Sequence, residues 1–139
     1  MNPLEVESAT RAYLDALGSV PAAVQVHASV SANDLDFEKQ AIVVQLETAE
    51  HRGSQAWVGT LAVTVRSPAA AVSLADHSSL VAAVAAALRD RSSFVAAFNS
   101  AATGVDLLGV APVNYGAPVF EDRAWINVIN ADIGLHVAT

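Results

Sequence analysis

The side chains best suited to hold a metal or move a proton near neutral pH are four histidines, His27, His51, His77 and His136. None stands in an H-E-x-x-H pattern, and no two share a helix at i, i+4 spacing, which lets two imidazoles grip one zinc ion. Asp76-His77 has the composition of an acid–base pair or of two metal ligands. It also reads as a helix cap followed by a first-turn residue, and that reading is preferred. Glu50-His51-Arg52 falls between two β-rich runs and reads as a solvated hairpin tip. Glu121-Asp122-Arg123 sets two carboxylates side by side at the start of a strand, where adjacent side chains point apart. A surface turn is expected there, not a cation site. The seven glycines form no G-x-S-x-G elbow and neither phosphate-binding pattern. Without cysteine, thiol catalysis, thiolate metal sites and disulfides are excluded. No catalytic, metal or cofactor site is therefore expected.

The elements that position these residues follow from periodicity. Val6, Ala9, Tyr13, Ala16 and Leu17 recur near helical spacing, which predicts a helix over 4–17 stopped by Gly18. A short strand is expected from Val24 to Ala28, then a polar loop from Ser29 to Lys39. Ala41 to Glu47 is β-rich. From Trp57 to Arg66 the chain alternates, with Trp57, Leu61, Val63 and Val65 on one face and Thr60, Thr64 and Arg66 on the other. The polar connector Thr48 to Gln55 contains Gly53, so the two runs predict an antiparallel hairpin with a long tip that projects beyond the body. Asp76 is expected to cap a second helix over 77–91, with Leu80, Val81, Val84, Ala87 and Leu88 as its apolar stripe. Ser92 is expected to cap a short third helix carrying Phe94, Val95 and Phe98. A strand over 105–113 and a turn-rich loop over 115–118 follow. In the last strand, 123–137, Trp125, Ile129, Ala131, Ile133, Leu135 and Val137 share a face that Asn127 interrupts.

Trp57 and Trp125 each begin a long strand on its apolar face. They read as core tryptophans, with a cross-strand pair as one arrangement, or as anchors across an interface, where tryptophan is enriched. The sum is a single α+β domain over residues 1–139: a mostly antiparallel four- to five-stranded sheet with a long hairpin, packed against two main helices.

Composition narrows the function. The 139 residues suit one domain, and a 53% hydrophobic, 15% charged chain can fill its core. With only 6% aromatics, Ala, Val, Leu and Ile must do most of the packing. The net charge of −7, with no Lys/Arg cluster, argues against a protein that holds nucleic acid by neutralising its phosphates. The longest strongly apolar run, Leu80 to Leu88, is well short of the roughly 20 residues that span a bilayer. The stretch Met1 to Glu7 lacks the basic start and apolar run of a secretory signal. No membrane partner is expected.

The stretch Val63-Thr64-Val65-Arg66-Ser67-Pro68, an alanine-rich loop, and Asp76-His77-Ser78-Ser79-Leu80-Val81 opening an amphipathic helix carry a resemblance, as does the closing strand from Arg123-Ala124-Trp125-Ile126-Asn127-Val128. In this order the elements resemble the tail terminator, or tail-completion, proteins of long-tailed bacteriophages. The Ser29 to Lys39 loop has no counterpart. The resemblance implies a tube-like fold and a structural virion protein, assembled in the host cytoplasm, whose copies close into a ring, typically of six. That ring would stop growth of the tail tube and face the neck or connector. Copies of itself and tube and neck proteins are the partners implied, with no cofactor. Free strand edges of long strands and the hairpin over 47–57 would carry the contacts, with Glu50, His51, Arg52, Trp57, Arg123 and Trp125 as candidate interface residues. An acidic balance would suit a lumen through which DNA passes. The alternatives are another neck, tube or minor tail component, or a small-ligand-binding domain or enzyme on the same scaffold.

Overall fold

The computed structural model describes residues 1–137, and the side chains of all of these but 30–32. Helix α1 (Pro3–Asp15) starts where the Asn2 side chain accepts from the Leu4 amide and Pro3 fixes the first helical φ. Strand β1 (Gln25–Ala28) follows, and the expected loop after it opens with a 3₁₀ turn, Ser29–Asp34. Strands β2 (Ala41–Gly53) and β3 (Ala56–Pro68) form the antiparallel hairpin. Helices α2 (Leu74–Arg89) and α3 (Arg91–Ala101) come next, then β4 (Val105–Tyr115), β5 (Val119–Glu121) and β6 (Ala124–Val137).

Among the described residues the chain is thus α+β, with three α-helices and six strands in the order β1-β2-β3-β6-β4, β5 extending the sheet beside β6. Within these the β1–β2 pairing is parallel and the others antiparallel. The three helices pack on one face of the sheet; among the described residues the other face carries none. Their buried side is built from Val6, Leu14, Leu80, Val84, Leu88, Phe94 and Phe98, set against Ile42, Leu61, Val63, Ile129 and Leu135 of the sheet. Each such side chain contributes about 1.5–3 kcal/mol by leaving water. Tyr13 stacks on Phe94 with ring centroids 4.9 Å apart, and its hydroxyl donates to Ala87 O at 2.7 Å.

Several expectations need correction. The hairpin has no long tip: β2 stays paired to Gly53, and the turn is Ser54–Gln55, with Ser54 at φ 51°. Nor does it project freely, because β3 is paired along its whole length with β6, from Ala56↔His136 to Pro68↔Ala124. The polar run after Glu47 is an exposed strand edge, so its lack of alternation reflects exposure on all sides. Helix α2 is capped by Ser73, whose hydroxyl accepts from the Asp76 amide; Asp76 lies in the first turn. Helix α3 is capped by Asp90, not Ser92. The sequence also hid β5, because its two-residue turn to β6, Asp122-Arg123, lacks the glycine that marks such turns. Trp57 lies opposite Leu135 and Trp125 opposite Ser67, so the tryptophans are no cross-strand pair.

Candidate functional site

The closest approach to a chemical constellation is inside the molecule. His77 lies on the apolar stripe of α2 and is wholly buried. Its Nδ1 is 2.7 Å from Ser67 Oγ and its Nε2 is 2.8 Å from Asn127 Oδ1. Asn127 Nδ2 donates to Gly116 O at 2.9 Å, which leaves Oδ1 as the acceptor. His77 Nε2 is therefore placed to donate to Asn127, and Ser67 Oγ, which accepts from Gln40 Nε2 at 2.9 Å, can turn its own hydrogen to Nδ1. Gln40, Ser67, His77, Asn127 and Gly116 form one directed chain of hydrogen bonds. A serine, a histidine and an orienting amide are the parts of an activated nucleophile. Here, however, Ser67 and His77 are both 0% exposed, so no substrate atom reaches Oγ. The chain clasps α2 to β3, β6 and the loop before β5. One residue of the clasp was visible beforehand, Asn127 as an interruption of an apolar strand face; His77 was read as a first-turn residue beside Asp76, and its place on the apolar side of the helix was missed.

Two carboxylates of α1 are also spent on the fold. Glu7 is buried and accepts from Ser29 N, Ser29 Oγ and Leu46 N. Glu5 Oε1 accepts from Thr103 N at 2.6 Å, Gly104 N at 2.7 Å and Thr103 Oγ1. The Gly104 and Thr103 amides hold the Glu5 carboxyl below the usual glutamate value. Burial, with Asp90 adding a smaller push, raises the Tyr13 phenol. Among the described residues, no three of His, Cys, Asp and Glu gather as a metal would require.

The six residues proposed from sequence fall into two groups at opposite ends of the sheet. Glu50, His51, Arg52 and Trp57 lie at the turned end of the β2–β3 hairpin, where Arg52 pairs with Glu50 at 3.4 Å. His51 rests against Trp57, ring centroids 5.0 Å apart, and its Nε2 meets Ser54 O at 2.7 Å. Arg123 and Trp125 lie at the other end, in the β5–β6 hairpin, where Trp125 meets Phe120 at 5.0 Å. Ten residues of β6 separate Trp125 from Leu135, the partner of Trp57, or about 33 Å of strand. Both tryptophans are half-buried.

Two features had no signal in the sequence. The first is an open concavity of about 990 Å³ beside the β2–β3 turn, lined by Glu50, Arg52, Val58, Thr60 and Asp132, with Arg91 and the β4 segment Leu108–Ala111 at its side. Gly59 belongs to its floor; a Cβ there would come within 2.7 Å of Thr48 O, so glycine is required for the close approach of β2. The second is a set of exposed apolar side chains at the opposite end, Val119 on one face of β5, Phe120 on the other, and Tyr115 of β4.

The strand edges are unequal. Along β4, Asn99 Oδ1 accepts from Leu107 N and Asn99 Nδ2 donates to Leu107 O, as a neighbouring strand would. Arg91 donates to Leu108 O and Arg89 to Val113 O, both at 2.9 Å. Arg11 Nε donates to Val26 O of β1 at 2.7 Å. The β2 edge is different. β1 pairs with β2 from Ala41 to Val44, and among the described residues no strand flanks the outer side of β2 beyond that point.

No family model matches this chain, and no curated protein matches it. One solved structure, 15% identical, covers 95% of this chain and 95% of its own, with a TM-score of 0.49. A likeness that loose carries no argument about function.

Proposed function

We propose that this chain is a structural assembly protein of a long-tailed phage virion. In this reading it is a tail terminator whose copies form a ring on the end of the tail tube, stop its growth and face the neck. The observation that carries the assembly reading is the β5–β6 hairpin at one end of the sheet, which leaves a large apolar side chain exposed on each face. Phe120, 57% exposed, lies beside Trp125 on the helix-bearing face, and Val119, 58% exposed, registers with Ile126 on the other. Apolar side chains left exposed on both faces of so short an element suit a hairpin that inserts into another protein. The assignment to a phage tail rests on the resemblance in element order.

Other features agree with the ring. On the helix-free face Thr64 stands opposite Val128, Asn130 opposite Ala62, and Asp106 of β4 opposite His136. The acidic Asp106 on this face suits a passage for DNA, since it repels phosphate. The test is native mass over a concentration series, with negative-stain imaging of the large species. A closed ring with a central channel is the expected result. A chain that stays monomeric from nanomolar to millimolar overturns the self-assembling reading.

A further inference from the structure

The unequal edges raise a problem for a ring of identical copies. The simplest head-to-tail contact would continue the sheet, the open β2 edge of one copy pairing with the β4 edge of the next. That route is closed, because Asn99, Arg91 and Arg89 already occupy backbone groups of β4, and Pro112 of that strand has no N–H to give.

We infer that copies join through a different pair of surfaces: the β5–β6 hairpin of one copy, led by Phe120, seats in the Arg52/Arg91 concavity of the next. This rests on the assembly reading above and names its contact. Three observations carry it. The first is shape. The hairpin carries Phe120 on one face and Val119 on the other, just before its two-residue turn, and the concavity has about 990 Å³ open to solvent, with Val58 and Leu108 among its exposed apolar lining.

The second is charge. Glu121 and Asp122 at the hairpin tip face solvent, and the concavity offers Arg91, beside Arg52, which already pairs with Glu50 at 3.4 Å. Arg91 has a backbone carbonyl as partner, and no carboxylate lies within ion-pair distance of it among the described residues. Arg123, in turn, matches Asp132 and Glu50 of the concavity.

The third is backbone cost. Asp122 and Arg123 hold φ of 51° and 60°, the left-handed region that Asn-Gly fills more easily in a turn of this kind. Aspartate visits that region readily, but an arginine there costs on the order of 1 kcal/mol. A charged Arg123 held at such a cost points to use of the side chain itself. Because hairpin and concavity lie at opposite ends of one sheet, the contact is heterologous and repeats by rotation.

The absence of cysteine makes a clean test possible. Glu121→Cys and Arg52→Cys are made separately, each in the whole chain, both at exposed positions without positive φ. The expected result is a disulfide-linked dimer when the two proteins are mixed under mild oxidation, and none from either alone. In parallel, Phe120→Asp is expected to weaken self-association about tenfold or more, with its melting curve close to the wild type. Glu121→Arg should weaken association as well, and adding Arg52→Glu should restore it. Wild-type oligomers without the mixed crosslink, and insensitive to Phe120→Asp, overturn this contact and leave the assembly reading standing. A crosslink from Glu121→Cys alone overturns it in favour of a two-fold contact between hairpins. A wild type that is monomeric throughout overturns both.

Discussion

Glu5 ties the first turn of α1 to the α3–β4 turn through one carboxylate oxygen, which accepts from two backbone amides and a hydroxyl. Those bonds favour the ionised form, so its folded pKa lies below the unfolded value near 4.5. The stabilisation is fully present above that unfolded value and is lost as pH falls through the lower, folded one. Acid denaturation followed by circular dichroism should therefore show a limb below about pH 4.5 that is shallower in Glu5→Gln. The clasp around His77 makes a second prediction at this scale. Asn127→Leu would leave His77 Nε2–H and Gly116 O without their partner inside the protein. A loss of about 1–3 kcal/mol is expected, measured by chemical denaturation. The loop that leads into β5 should loosen with it, read as faster amide exchange at Val119 and Phe120.

At the scale of elements, the guarded β4 edge is the feature with most consequence. Asn99 satisfies both backbone groups of Leu107 with its single amide. Asn99→Ala should leave the core intact and unmask a strand edge, a known route to edge-to-edge association. Light scattering at raised protein concentration should grow with time in this variant, while the melting temperature changes little.

How far the elements were legible depends on what each one buries. The long strands β3 and β6 were plain because one face of each enters the core, which writes period two into Leu61, Val63, Val65 and Ile129, Ala131, Ile133. The outer half of β2 buries little on either side, so Thr48 to Gly53 showed no period and read as a connector. Strand β5 is three residues long, with every residue exposed, and its turn lacks glycine. Capping was misread by a few residues because Ser73 and Asp76 both have cap chemistry, and only the bond from the Asp76 amide to Ser73 decides between them. The candidate interface was half legible. Glu50, Arg52 and Arg123 were marked as charged tips, but Phe120 and Arg91 were missed, since the sheet order that brings β4 beside the end of β6 leaves no local trace in sequence.

At the scale of the whole molecule, the sheet is held together by its last strand. β6 pairs with β3, β4 and β5, so most long-range pairing in the molecule runs through residues 124–137. Such non-local pairing makes for slow folding. Synthesis proceeds from the N-terminal side, and β6 is made after every strand it joins. Until then β3 has one edge open over Ala56–Pro68, and the clasp lacks Asn127. The same order in time bears on assembly. The β5–β6 hairpin cannot exist before β6 does, and Asp132 to Gly134 of β6 line the concavity. A nascent chain therefore lacks the β5–β6 hairpin and the β6 side of the concavity, so the proposed contact cannot form between two growing chains until β6 has been made. The contact becomes possible in the same step that covers the open edge of β3.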